Sequence, residues 1–203
     1  MEYVNLGKTG LKVSRLGFGN MTFCTVEQAV QLLEKARDAG INFFDGAEAY
    51  GQPRGNSETL FGEAYEILQS RDPFKWRRSD LVITTKLFFG PSKETEQAFG
   101  YFGENEIGSS LKHIQEGMDA ALKRCKLSYF DVVYSHKFDA VTPIEEQVRA
   151  FTKLIQDGRA FYWATSNWPM HRILEAHWIA KMKNLIAPIA EQCHYSMFER
   201  QYV

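Results

Sequence analysis

The sequence has little cysteine, no surplus of charge of one sign and no long apolar stretch. Its three cysteines (Cys24, Cys125 and Cys193) are widely spaced and form no CxxC pair. We therefore expect reduced thiols rather than a disulfide framework or a zinc cluster. The chain has 24 basic and 25 acidic residues, which excludes the basic surplus typical of nucleic-acid binding. No metal site is expected from these residues.

Targeting signals and membrane spans are also missing from the sequence. The amino terminus has no apolar core of signal-peptide length. The apolar runs fall far short of the roughly 20 residues that span a bilayer. We therefore predict a cytoplasmic protein with no direct membrane insertion. No linker or low-complexity tract interrupts residues 1–203, which favours a single domain.

Short apolar runs alternate along the chain with segments of helical periodicity. The predicted strands are 16–20, 41–45, 81–86, 130–136, 160–167 and 188–195. The predicted helices are 26–39, 57–70, 107–127, 144–156 and 170–183. Such alternation indicates parallel βα units, and residues 3–14, centred on GKTG, predict an N-terminal β-hairpin.

The absence of a GxGxxG turn argues against a Rossmann domain, since Gly17 and Gly19 alone do not make that motif. A TIM (β/α)8 barrel fits better, but such a barrel typically needs about 250 residues. Only six predicted strands are present. We therefore expect an incomplete barrel without strands 7 and 8: a truncated or split-gene product, an incompletely assigned sequence, or a fragment that a partner completes.

In such a barrel, chemistry is located at the carboxyl ends of the strands. The polar residues at or just after these ends are Asn20, Asp45, Tyr50, Lys86, His136, Ser166, Asn167, Glu191 and Gln192. Each of them, taken alone, also fits a helix cap, a loop contact, a packing histidine or a rim aromatic. Their occurrence at the same end of successive strands is what favours a site.

Four of these residues suit proton transfer to a carbonyl. A free phenol, with a pKa of about 10, is a weak acid at neutral pH. A neighbouring ammonium favours the phenolate, so Lys86 would make Tyr50 a usable general acid. Asp45 would pair with Lys86, and His136 would donate a hydrogen bond to the substrate carbonyl. Carbonyl protonation coupled to hydride delivery therefore fits better than hydrolysis or phosphoryl transfer.

Three segments resemble the aldo-keto reductase superfamily. They are FDGAEAYG at 44–51, ITTK at 83–86 and DVVYSH at 131–136. The resemblance implies a tetrad of Asp45, Tyr50, Lys86 and His136, with Tyr50 as the proton donor to a small aldehyde or ketone.

The same resemblance implies that NADP(H) lies across the barrel mouth. Ser166, Asn167 and Gln192 would bind the nicotinamide carboxamide, and Asn20, Met21 and Asp45 would also contact the cofactor. In the family, the later strands supply the residue that stacks on the nicotinamide and the contacts to the adenosine 2′-phosphate.

Within the superfamily, the sequence is similar to the voltage-gated potassium channel β-subunit group. The segments that carry this similarity are 5–14, 76–86, 112–114, 161–166 and 191–198. That group has Asn in place of His136 and Arg in place of Asn167, so both differences favour an ordinary reductase. The alternative is a catalytically weak or inactive structural subunit that forms a homo-oligomer or docks on a channel or another large assembly.

A long segment, residues 91–110, separates the third predicted strand from the helical periodicity that follows. It contains Phe99, Tyr101 and Phe102. The segment fits a substrate lid, a partner-binding insert or an ordinary surface loop, and its sequence favours none of the three.

Overall fold

The structure, a computed structural model, describes residues 1–90 and 103–200. Its strands are β1 (Tyr3–Asn5), β2 (Lys12–Ser14), β3 (Phe18–Gly19), β4 (Phe43–Asp45), β5 (Val82–Leu87), β6 (Phe130–Ser135), β7 (Ala160–Ser166) and β8 (Glu191–Gln192). Its α-helices are α1 (Val26–Asp38), α2 (Asn56–Arg71), α3 (Leu111–Cys125), α4 (Ile144–Gln156) and α5 (Met170–Lys183).

The strands form two sheets within the described ranges. Strands β1 and β2 make the predicted antiparallel hairpin. Strands β3 to β8 form one parallel sheet in chain order, and a helix follows each of β3 to β7. Parallel strands in chain order with helical crossovers are the arrangement of a (β/α)8 barrel.

A side-chain contact between distant strands shows that this sheet is curled. Gln192 on β8 reaches Asp45 on β4, with 3.3 Å between Gln192 Nε2 and Asp45 Oδ2. Four strand spacings of about 4.8 Å would hold these strands roughly 19 Å apart in a flat sheet. The fold is therefore an incomplete barrel, and the sequence-based prediction of its class is confirmed.

The helices begin and end at residues that satisfy their free backbone groups. Thr25 caps α1 by accepting from Gln28 N at 3.2 Å, and Ser110 caps α3 by accepting from His113 N at 3.2 Å. Prolines stand just before α4 and α5, where the missing N–H is not needed. These two helices have the predicted bounds.

The two faces of the curled sheet pack differently. On the outer face, Ile83, Leu87 and Val133 belong to a large apolar core shared with the helices. The inner face carries a small cluster centred on Val132, Tyr134 and Ala164. Since strand side chains alternate between faces, Thr84 and Lys86 lie on the inner face of β5.

The two marginal strands are shorter than predicted. Strand β3 has two residues instead of the five in 16–20, and β8 has two residues within 188–195. In the described structure each of them pairs with a strand on one side. Fewer inter-strand hydrogen bonds therefore hold its backbone in the extended conformation. Pro188 also removes one hydrogen-bond donor from the second segment.

Two further observations concern parts of the chain rather than the sheet. Most of the segment 91–110, with Phe99, Tyr101 and Phe102, lies outside the described residues, and α3 begins at Leu111 rather than at 107.

Among the residues that the structure covers, no helix combines the length and apolarity needed to cross a bilayer.

Candidate active site at the carboxyl ends of the strands

Lys86 lies at the centre of the candidate site. It is near the end of β5, and only 1% of its surface is exposed. Its ammonium donates to Asp45 Oδ2 at 2.6 Å, to the Gly46 carbonyl at 2.9 Å and to Tyr50 Oη at 3.2 Å. The three acceptors match the three donors of an ammonium group, so each N–H of this buried group has a hydrogen-bond partner.

Asp45, at the end of β4, accepts three side-chain hydrogen bonds from two other strands, β5 and β8. Besides Lys86, Thr84 Oγ1 donates to Asp45 Oδ1 at 2.7 Å, and Gln192 Nε2 donates to Asp45 Oδ2 at 3.3 Å. Thr84 and Lys86 stand two residues apart on β5 and so face the same side. The carboxylate thereby fixes the position of the Lys86 ammonium.

Gly46 allows the first loop to approach the site closely. A Cβ at this position would lie 2.9 Å from Asn20 Nδ2 and 3.3 Å from the Thr84 carbonyl oxygen. Asn20 itself is buried, and its backbone N–H donates to the Asp45 carbonyl at 3.0 Å. Glycine at 46 therefore lets the loop after β3 pack on the loop after β4.

His136 follows β6 and meets Tyr50 through its ring. The ring centroids of the two residues are 5.7 Å apart at 85°, and the Phe89 ring also packs edge-on against the imidazole, at 5.1 Å. Burial and the charge of Lys86 lower the pKa of His136 to about 4, against the opposing charges of Glu48 and Asp45. The imidazole is therefore neutral at physiological pH and carries one N–H donor.

Ser166, Asn167 and Gln192 form a chain of amide and hydroxyl groups at the ends of β7 and β8. Asn167 Nδ2 donates to Ser166 Oγ at 3.2 Å, and Asn167 N donates to the Gln192 carbonyl at 3.2 Å. Asn167 has a left-handed backbone, with φ of 53°, a conformation that asparagine tolerates better than most residues. Through Gln192, these groups adjoin Asp45.

Met21 and Tyr50 line a groove of about 530 Å³ beside the site. Met21 is 59% exposed. The other lining residues are Thr22, Phe23, Cys24, Ala49, Gly51, Gln52 and Asn56. The groove carries no ionisable acid or base among these residues except the phenol and the Cys24 thiol.

The structure places the candidate site residues predicted from the sequence close to one another. Asp45, Tyr50 and Lys86 share hydrogen bonds, His136 touches Tyr50 by its ring, and Gln192 contacts Asp45. Asn20 lies behind Gly46, and Met21 lies in the groove. Within the described residues, no group of three His, Cys, Asp or Glu side chains could hold a metal ion.

Three contributors were missed from the sequence: Thr84, Phe89 and Glu48. Thr84 carried a readable signal, because it is two residues before Lys86 on a strand. Glu48 carried another, since it is an acidic residue between two alanines in the loop from Asp45 to Tyr50. Phe89 lies in a loop, and no periodicity in the sequence assigns it to His136.

Comparison with known proteins gives the chain its family. The sequence model of the aldo/keto reductase family matches residues 15–202. A probable voltage-gated potassium channel subunit beta from Oryza sativa subsp. japonica is 45% identical over 207 aligned residues, which cover 100% of this chain and 58% of the relative. The corresponding protein of Arabidopsis thaliana is 46% identical with the same coverage.

A third relative is a putative voltage-gated potassium channel subunit beta from Schizosaccharomyces pombe. It is 46% identical over 202 residues, covering 97% of this chain and 54% of the relative. The chain thus spans a little over half the length of these curated relatives. Because the family match covers most of its residues, the chain belongs to the aldo/keto reductase family.

Proposed function

We propose that this chain carries the proton-transfer centre of an NADP(H)-dependent reductase of small aldehydes and ketones. The observation that carries the proposal is the position of the Lys86 ammonium, 2.6 Å from the Asp45 carboxylate and 3.2 Å from the Tyr50 hydroxyl. A phenol held beside a buried, paired ammonium is suited to release its proton, because the phenolate that forms is stabilised by the adjacent charge.

Tyr50 is the proton donor in this proposal, and Tyr134 is not. Both rings lie near the ammonium, with Lys86 Nζ 4.8 Å from the Tyr50 centroid and 5.9 Å from that of Tyr134. Burial, together with the charges of Asp45 and Glu191, raises the pKa of Tyr134 above its ordinary value. The Tyr50 ring instead lines the open groove, where a substrate has access to it.

His136 orients the carbonyl and does not supply the proton. With a pKa of about 4, it is neutral at pH 7 and donates a hydrogen bond to the carbonyl oxygen. The Tyr50 hydroxyl protonates the same oxygen. The carbonyl carbon thus gains a hydride and its oxygen gains a proton, which converts the C=O group into an alcohol.

The proposed cofactor is NADP(H), which when bound would supply the hydride. We assign its carboxamide to Ser166, Asn167 and Gln192, and its other contacts at the mouth to Asn20, Met21 and Asp45. The donor set fits, because hydroxyl and amide groups can bind a neutral carboxamide without adding charge. The Asn20 Oδ1 atom is also a buried acceptor without a hydrogen-bond partner among the described residues.

The test is substrate-dependent oxidation of NADPH, followed by absorbance with benzaldehyde as the probe substrate. We expect Tyr50→Phe to lower kcat by about 10²- to 10⁴-fold, the range for loss of a general acid. Tyr129→Phe is the matched control, since Tyr129 precedes β6 at the opposite end of the strand and keeps its stacking on Arg78. Unchanged activity of folded Tyr50→Phe would exclude Tyr50 as the acid.

A second candidate function rests on the relatives' names, which describe β subunits of voltage-gated potassium channels. In this alternative, the chain is a cytoplasmic subunit that docks on a channel or assembles with copies of itself, with weak or no catalysis. Binding to a purified channel cytoplasmic domain, together with the molecular mass in solution, tests it. Such binding should survive Tyr50→Phe, whereas an unassociated monomer that reduces benzaldehyde would contradict it.

A further inference from the structure

Glu48 is a buried carboxylate to which the proposed reduction, as described so far, assigns no role. It stands in the loop between Asp45 and Tyr50, and none of its surface is exposed. Its backbone N–H donates to the Lys86 carbonyl at 3.1 Å. Burying a carboxylate is costly unless donors surround it, so its partners indicate what it does.

The Glu48 carboxylate binds the loop that follows β5. Its Oε1 atom accepts from Phe88 N at 2.6 Å and from Gly90 N at 3.0 Å, and it lies 3.3 Å from His113 Nε2 on α3. Burial opposes ionisation, but His113 and the two amides outweigh it and hold the pKa of Glu48 below its ordinary value. The group is therefore a carboxylate at neutral pH.

The loop held in this way carries a ring that contacts the site. Phe89 lies between the two amides that Glu48 binds, and its ring packs edge-on against His136 at 5.1 Å. The His136 ring in turn packs against the Tyr50 ring, with 5.7 Å between the ring centroids. The His136 backbone N–H also donates to the Leu87 carbonyl, at 3.0 Å, just before the same loop.

We propose that Glu48 is a positioning residue that sets the orientation of the His136 imidazole through the loop 88–90 and the Phe89 ring. It acts on catalysis without touching the substrate. The inference rests on the proposed carbonyl reduction, because His136 matters there as the donor to the carbonyl oxygen. An error of about 1 Å in a catalytic group can lower a rate by roughly 100-fold, so this indirect contact is expected to be visible in kcat.

A second buried carboxylate provides a matched control. Glu58 on α2 is as fully buried as Glu48. It accepts from Thr85 Oγ1 at 2.6 Å and from Arg124 Nε at 2.7 Å. Neither partner belongs to the loop 88–90. Glu58→Gln therefore measures how far kcat changes when a buried carboxylate that does not bind this loop is replaced.

The experiment compares Glu48→Gln with Glu58→Gln in the full chain by two readouts. In the NADPH–benzaldehyde assay, we expect Glu48→Gln to lower kcat by about 10- to 100-fold with little change in the KM for NADPH, and Glu58→Gln to leave kcat nearly unchanged. In NMR spectra, we expect Glu48→Gln to weaken the nuclear Overhauser contact between the Phe89 and His136 rings, which loss of the Glu48 charge alone would leave in place, and to shift the His136 ring resonances. Glu58→Gln should leave both the contact and the resonances in place.

The two readouts separate the inference from the function on which it rests. If the unsubstituted chain reduces no carbonyl, the proposed function fails, and the His136 resonances still decide the role of Glu48. Equal effects of the two variants, or an unaltered His136 with Glu48→Gln, would overturn the inference. If circular dichroism shows that Glu48→Gln does not fold, Phe89→Leu is the second test. The inference would also be overturned if Phe89→Leu left both the His136 resonances and kcat unchanged.

Discussion

The central and marginal strands of the sheet contribute differently to the site. Strands β5 and β6 have six buried residues each, and they carry Lys86 and lead into His136. Strands β3 and β8 have two residues each and are partly exposed, and they lead into Asn20 and carry Gln192. Two of the four proposed proton-transfer groups, Lys86 and His136, thus come from the most tightly packed part of the sheet, and three of the proposed cofactor contacts, Asn20, Met21 and Gln192, come from its margins.

This difference has a physical reason in what lies on either side of each strand. A central strand has ladder partners on both sides and helices against its outer face, so its side chains have few alternative positions. Proton transfer needs that accuracy, because Lys86 must stay within hydrogen-bond distance of two groups. Amide contacts to a ligand are less demanding, since a hydrogen bond at the margin can exchange with the solvent or with Asp45.

The largest effect should come from the centre, with Lys86→Met. Removing the ammonium leaves the mostly buried Asp45 carboxylate without its charged partner. We expect this to cost about 3 kcal/mol of unfolding free energy and to lower kcat by about 10²-fold or more. Urea unfolding followed by circular dichroism measures the first effect, and the NADPH assay measures the second.

Lys112→Met is the control for this prediction, because Lys112 forms an exposed pair with Glu116 on α3. Such surface pairs contribute about 1 kcal/mol or less. If the two methionine variants were equally stable, the central Lys86–Asp45 pair would be no better held than a surface pair, and the contrast between centre and margin would fail for the charged groups.

A second effect, similar in unfolding free energy to that of Lys86→Met but without its loss of kcat, is expected in the pH dependence of stability. The pKa of His136 is lowered from 6.5 to about 4 in the folded chain, so below pH 6.5 the unfolded chain takes up a proton that the folded chain does not. Stability from this residue is therefore complete above pH 6.5 and is lost as the pH falls towards 4. The loss amounts to roughly 3 kcal/mol.

Unfolding free energies measured between pH 4 and 7 test this dependence against His136→Asn, which cannot titrate. The slope should flatten in that variant and should persist in His171→Asn, whose imidazole is exposed on α5. An unchanged slope in His136→Asn would mean that the residue is not buried beside Lys86 as described.

The smallest effect should come from the margin, with Gln192→Ala. Its hydrogen bond to Asp45 is long, at 3.3 Å, and it joins two strands that are not neighbours. We expect a loss of about 1 kcal/mol or less in stability and a roughly fivefold rise in the KM for NADPH, the equivalent of one neutral hydrogen bond. A fall in kcat at constant KM would instead assign Gln192 to the chemical step.

Much of the fold was predictable because its signals are local. Continuous apolar runs such as 130–136 mark strands covered on both faces, and a proline before the helical pattern marks where α4 begins. The margins were predicted too long, since strand length there depends on ladder partners rather than on composition. The location of the chain in the cytoplasm and its organisation as one domain over 1–203 stay predictions.

The candidate site was predictable where it follows from strand ends and less so where it depends on loops. Asp45, Lys86 and His136 are found by reading where strands stop, since parallel strands bring those ends together. Glu48 and Phe89 are joined through the loop 88–90, and no spacing in the sequence relates one to the other. Contacts between loops depend on the fold as a whole.

By itself, the sequence determined the order of strands and helices, the end of the sheet at which chemistry is expected and the residue types present there. Those properties come from the periodicity of apolar side chains and from the common direction of parallel strands. Three features depend on the tertiary structure: one ammonium joins Asp45 to Tyr50, burial and Lys86 lower the pKa of His136, and Glu48 binds the loop whose Phe89 ring packs against His136. These depend on distances of a few ångströms and on burial, which arise only once the curled sheet brings distant segments into contact.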